Sequence, residues 1–172
     1  MRKLILVNIV LLFFYSCDKT IINKVIVDEK TGKPMLIGET DRSIFEQSDF
    51  SEWFNSEYDG YESDEFILEQ IKVLCDSIDI QIFMGTWCGD SRREVPRFLK
   101  ILDKLEFDNN NLQIINVDRK KHSPNSEEKD KNIEFVPTII INQYGIEIGR
   151  IVEFPIITLE GDLYNVLLGL NL

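Results

Sequence analysis

Apolar residues fall along this chain in four patterns, and each predicts a different element. The first is a run from Leu4 to Tyr15, broken only by Asn8, that follows Arg2 and Lys3. The second is a pair of short stretches, Val25-Ile26-Val27 and Met35-Leu36-Ile37, on either side of Glu29-Lys30-Thr31-Gly32-Lys33-Pro34. Apolar runs flanking Gly, Pro and charged residues predict a hairpin. The third pattern is helical spacing. It places Phe50, Trp53 and Phe54 on one face within the acidic, aromatic stretch 41–60. It recurs at Phe66, Ile67, Ile71, Leu74 and Ile78 behind a Ser63 cap, with the helix running to about Asp76. It returns at Val95, Phe98, Leu99, Leu102 and Leu105 in a helix starting at Ser91, and again at Leu159, Leu163, Val166, Leu167 and Leu170. The fourth pattern is the short β-rich run: Ile80–Met84, Leu112–Val117, Thr138–Ile141 and Ile146–Ile151, with Asn142 to Gly145 as a second hairpin turn. Residues 120–132 are polar throughout and read as a solvated loop. From residue 63 the order is helix, strand, helix, strand, loop, hairpin, helix, which is an α/β class without internal repeats.

The first run changes the reading of the N-terminus. Twelve residues fall short of the about 20 that a spanning helix needs, and fit the apolar core of an export signal. Ser16 and Cys17 follow, and the chain turns polar at Asp18 and Lys19. This resembles a bacterial lipoprotein signal, in which Cys17 becomes the lipidated first residue. Phe14 and Tyr15 depart from that motif, so a simple secretory signal or an uncleaved anchor stays open. The expected division is a signal peptide at 1–16, a tether at 17–24, an N-terminal extension at 25–60 and the main domain at 61–172. The expected location is the bacterial cell envelope, with membrane contact only through the Cys17 anchor. With 19 basic against 30 acidic residues the net charge is −11, which excludes the basic surface that nucleic-acid binding needs.

The three cysteines, at 17, 75 and 88, make no disulfide framework. Cys75 lies among apolar neighbours at a helix end and reads as a small buried hydrophobe. Cys88 stands in Gly85-Thr86-Trp87-Cys88-Gly89-Asp90-Ser91-Arg92-Arg93-Glu94-Val95-Pro96, after a strand and at the start of a helix. Unpaired N–H groups and the helix dipole there favour a thiolate; Arg92 and Arg93 would add to that, and Asp90 would oppose it. His122 is the single histidine and has no Cys–His spacing around it, so neither a metal nor another cofactor is expected.

Trp87-Cys88-Gly89-Asp90-Ser91 resembles the Trp-Cys-x-x-Cys site of the thioredoxin superfamily, with Ser91 in place of the second cysteine. Pro96, eight residues after Cys88, matches the proline of the family's active-site helix. Val136-Pro137-Thr138 resembles its cis-proline loop, and Gly145 its hairpin glycine. The resemblance covers about residues 63–170. It implies a thioredoxin-like fold: a central mixed sheet with flanking helices, here behind a hairpin and helix extension. It also implies Cys88 as nucleophile, Trp87 and Pro137 shaping the substrate face, and Ser91 hydrogen-bonded to the thiolate. Gly89, Asp90, Val136 and Thr138 would line the path of an extended substrate.

The departures narrow the chemistry. Ser91 cannot close an internal disulfide, Ile82 stands where the family has a buried aspartate, and Glu153 replaces a glycine near the rim. A single thiol can still exchange with protein or small-molecule disulfides if an outside thiol resolves the intermediate, as in isomerisation or monothiol deglutathionylation. The competing reading is a redox-inert binding or scaffold module that uses residues 41–60 as its surface. A monomer is expected in either case.

Overall fold

The computed structural model describes residues 22–75 and 77–170, so the expected export signal, most of the expected tether and Cys17 lie outside the described residues. Strands β1 (Lys24–Val27) and β2 (Pro34–Thr40) form the first hairpin, and a 3-10 turn at Arg42–Glu46 leads into α1 (Ser48–Gly60). Then come α2 (Glu65–Lys72), β3 (Ile78–Met84), α3 (Gly89–Lys104), β4 (Leu112–Asn116), β5 (Thr138–Gln143), β6 (Ile146–Val152) and α4 (Leu159–Leu167). They build one six-stranded sheet in the order β1-β2-β4-β3-β5-β6. Only β3 and β4 are parallel, joined by the crossover through α3; the other pairings are antiparallel.

Strand β3 is apolar along one face, and on the other Asp79 and Gln81 give way to Phe83 only at its C-terminal end. Ile80, Ile82 and Met84 belong to the larger core, with Leu68 and Ile71 of α2, Val95, Phe98 and Leu99 of α3, and Leu159, Leu163 and Val166 of α4. Phe83 points the other way, into a smaller core with Ile115, Ile140, Val117 and Val136. The helices thus share one face of the sheet. The connection between β4 and β5, helix-free through residues 120–132 as expected, covers part of the other.

The hairpin at 25–37 forms as expected, but it is no separate appendage. Strand β2 pairs with β4, Gly38 opposite Asn116, and makes the extension part of the same sheet. The aromatic helix α1 also forms and docks: Phe50 is buried, Phe54 stacks on Phe45 at 4.9 Å, and Arg97 pairs with Glu57 at 2.6 Å. At the second hairpin, Tyr144 and Gly145 take φ of 52° and 76°, the two-residue turn that glycine favours there.

Three local expectations need correction. The cap of α2 is Asp64, whose carboxylate accepts from the N–H groups of Phe66 (2.9 Å) and Ile67 (3.2 Å); the helix ends at Lys72. That carboxylate satisfies two orphan donors of the first turn. Leu68 and Ile71 face the core, while Phe66 is 77% exposed. Helix α3 starts at Gly89 rather than Ser91, because Cys88 itself occupies the cap position, and Pro96 lies inside it as expected. Helix α4 ends before Gly169, which takes φ of 71° and leaves Leu170 exposed.

This phase makes a direct test. Leu68→Ala removes a fully buried side chain and is expected to cost about 2–5 kcal/mol in urea unfolding, whereas Phe66→Ala is expected to stay within about 0.5 kcal/mol of wild type.

Candidate active site

The thiol site forms where β3 ends. The Gly85–Cys88 turn closes with the Cys88 N–H donating to Gly85 C=O at 2.9 Å, and the first bond of α3 runs from Arg92 N–H to Cys88 C=O at 3.1 Å. Cys88 is extended (φ −94°, ψ 131°), caps α3 and is half-buried. Its thiol donates to the Val136 carbonyl at 3.1 Å. The Val136–Pro137 peptide is cis, as expected of the resembling loop. That loop is braced twice: Thr138 Oγ1 donates to Phe135 C=O at 2.8 Å, and Glu153 N–H donates to Pro137 C=O at 2.7 Å.

Trp87 folds back over Gly85 so closely that a Cβ there would lie 2.6 Å from the indole, which is why the turn needs glycine. Its Nε1–H donates to Val117 C=O at 2.9 Å, and the Arg119 guanidinium lies 5.1 Å from its ring centroid. Arg119 is held in turn by Asp28, with Nε and Nη2 at 2.8 and 2.7 Å from the two carboxylate oxygens. Asp28 is buried at the end of β1 and also accepts from Thr31 Oγ1 at 2.5 Å and Lys30 N–H at 3.2 Å. Hydrogen bonds from Arg119 and then Thr31 hold this carboxyl well below the usual range, outweighing the opposing effect of burial. The hairpin is fixed to the site again where Leu36 N–H donates to Thr86 Oγ1 at 3.1 Å.

The structure thus brings Trp87, Cys88, Val136 and Pro137 together, and it reassigns other residues. Ser91 is fully buried and its Oγ accepts from Gly85 N–H at 3.2 Å, so it braces the turn rather than bonding to the thiol. Its hydroxyl is held at the Gly85 turn, while the half-buried Cys88 thiol is held at Val136. Thr138 is buried and stiffens its loop instead of lining an open path. Asp90 pairs with Arg93 at 2.8 Å, and Arg93 also reaches Glu94 at 2.5 Å; that arginine is spent there and not on Cys88. Arg92 donates from Nε to Thr86 C=O and sits 5.7 Å from the Trp53 ring centroid. Gly89 is exposed, and a Cβ added there would meet nothing within 4 Å. Ile82 is fully buried in the larger core.

Cys75 and Cys88 are both free thiols. Burial pushes the Cys75 thiol up to about 11, as suits a core residue. Among the described residues no cluster of three or more His, Cys, Asp or Glu side chains could hold a metal ion.

Asp28 and Arg119 were not legible beforehand. They are 91 residues apart, and neither lies in a motif. The single local sign is Asp28 preceding Thr31-Gly32, a turn sequence whose hydroxyl the carboxylate accepts from.

A parallel β3–β4 pair crossed by α3, an antiparallel β5–β6 hairpin entered through a cis-proline, and α4 behind it define a thioredoxin-like fold, with a hairpin and helix added at the N-terminus. No family model matches the chain, and no curated protein matches it. Among solved structures it is similar to a protein of unknown function from Pseudomonas aeruginosa, at 14% identity and a TM-score of 0.55, over 77% of this chain and 92% of that one. The germline-specific thioredoxin Deadhead of Drosophila melanogaster matches at 17% identity and a TM-score of 0.37, over 60% of this chain and 90% of that one. Mitochondrial thioredoxin 3 of Saccharomyces cerevisiae, in its oxidised form, matches at 22% identity and a TM-score of 0.33, over 49% and 76%. At these identities the likeness is one of fold.

The Asp28 clamp sets a pH dependence. Its carboxyl titrates lower in the folded chain than in the unfolded one, so it adds stability above the unfolded value near about 4. That contribution drains away as pH falls toward the folded value. Urea midpoints measured from about pH 5 to pH 2 are expected to fall less steeply in Asp28→Asn than in wild type, because the variant has already lost this contribution.

Proposed function

We propose that the protein is an exported, lipid-anchored thiol–disulfide exchange protein with a single working thiol, Cys88. The observation that carries this reading is the setting of Cys88: half-buried at the cap of α3, its sulfur 3.1 Å from the carbonyl before the cis-proline, while burial pushes the other described thiol, that of the partly buried Cys75, up to about 11. The Cys88 thiolate attacks one sulfur of a substrate disulfide. A new S–S bond forms, the old one breaks, and the departing half leaves as a thiolate that takes a proton from water. Ser91 offers no second thiol, so an outside thiol, small or carried by the substrate, attacks the mixed disulfide and returns Cys88 to the thiolate. The Val136 carbonyl that now accepts from Cys88 becomes available to a backbone N–H of the substrate once that thiol is deprotonated or bonded. Phe135 and Phe154, 49% and 58% exposed beside this loop, give the rim an apolar character suited to a polypeptide or the carbon skeleton of a small disulfide.

The binding-module reading loses the surface it was to use. The aromatic face of α1 is docked: Phe50 is buried, and Trp53, Phe54 and Tyr58 pack against the main core.

In cells, wild-type chain is expected to accumulate mixed disulfides that collapse on reduction and are missing in Cys88→Ala; an inert Cys88 in wild type would overturn the exchange reading. Ser91→Cys places a second thiol three residues on and is expected to yield a reducible internal disulfide by mass spectrometry. For export, globomycin treatment is expected to leave an unprocessed precursor, and unchanged processing would refute lipidation at Cys17.

A further inference from the structure

Beside Trp87 the hairpin turn leaves a cavity of about 150 Å³ lined by Asp28, Thr31, Lys33, Trp87, Arg92 and Arg119 among others. Three cations meet one carboxylate there, in a chain whose net charge is −11. Their donors are only partly used. Arg119 spends Nε and Nη2 on Asp28, which leaves Nη1. Arg92 spends Nε on Thr86 C=O, which leaves both terminal nitrogens. The exposed Lys33 side chain has no ion pair or hydrogen bond among the described residues. The Asp28 charge is already matched by Arg119, so the cavity presents two uncompensated positive charges one residue from the reactive sulfur.

We propose that this cavity is an anion subsite, which takes a carboxylate carried by a small disulfide or thiol close to its sulfur. The size suits a carboxylate and the carbons next to it rather than a folded partner. The hairpin supplies one wall and Asp28 fixes Arg119 in it, so the extension contributes specificity as well as two strands. Guanidinium groups are well matched to this role, because their planar forks pair with carboxylate oxygens two at a time. The inference rests on the reading of Cys88 as a reactive thiol and adds to it the charge of the substrate.

Charge alone can be varied in the reagent. Dithiodipropionate, hydroxyethyl disulfide and cystamine are small disulfides carrying two negative, no and two positive charges, and mixed-disulfide formation at Cys88 is followed by mass spectrometry with Cys75→Ser as background. The expected order is anionic fastest and cationic slowest, against the long-range repulsion of anions that a net charge of −11 imposes. Lys33→Gln and Arg92→Gln are each expected to lower the anionic-to-neutral rate ratio about fivefold, the size of one close charge pair in water. Lys33 is exposed, so that variant remains informative where an arginine change disturbs the turn. Lys30→Gln, on the same turn but outside the cavity, is expected to keep the wild-type ratio. If the neutral reagent reacts but the anionic one is no faster, or if the ratio survives both substitutions, the subsite is refuted and the exchange reading stands. If none of the three reagents modifies Cys88, the exchange reading falls and takes the subsite with it.

Discussion

The pairing of β3 on both of its edges is the constraint from which the thiol site follows. Phe83 lies opposite Thr138 and Met84 opposite Asn116, so the chain beyond each of those residues is delivered to the same end of the sheet. One step past Asn116 is Val117, whose carbonyl takes the Trp87 indole; two steps before Thr138 is Val136, whose carbonyl takes the Cys88 thiol. A shift of one residue in either register would exchange the two faces of a strand and remove these carbonyls from reach. The apolar strength of β3 is therefore what aims the polar chemistry. Ile82 is part of the same arrangement: fully buried, it adds to the larger core.

Acidic residues in this chain are not only surface charge. Glu160 is buried and accepts from Tyr61 O–H at 2.6 Å and Asp64 N–H at 2.7 Å, tying α4 to the start of α2. Asp162 is buried and accepts from the N–H groups of Ile156 (2.6 Å) and Ile157 (3.1 Å), which fixes the segment after β6. Asp103 binds both Arg42 and Tyr58, and holds the aromatic helix against α3. Carboxylates thus staple loops and helices together.

Most of the architecture was readable because it depends on local pattern. Hydrophobic period separates the helices from the strands, and Trp87-Cys88 with Val136-Pro137 marks the candidate site in the sequence. What escaped reading depends on partners distant in sequence or on small geometric margins. Ser63 and Asp64 are both residue types that cap helices; Asp64 takes the position, and Leu68 rather than Phe66 is buried. Ser91 follows Cys88 by three residues, close to one helical turn, so spacing alone puts the two side by side; in the fold the Ser91 hydroxyl is taken by Gly85 N–H and the Cys88 thiol by Val136 C=O. Arg119 carries no motif at all. Its role comes from Asp28, which reaches it across a strand order that places β1 and β2 beside β4.

The contacts that complete the site span long stretches of chain: 50 residues from Leu36 to Thr86, 91 from Asp28 to Arg119 and 48 from Cys88 to Val136. A chain made from its N-terminus therefore emerges with its hairpin first and waits for the end of β4 before that hairpin has anything to hold. The thiol appears before the loop that will cover it. During synthesis Cys88 is an ordinary cysteine of an unfinished polypeptide, and its special setting arises only when the last third of the chain arrives.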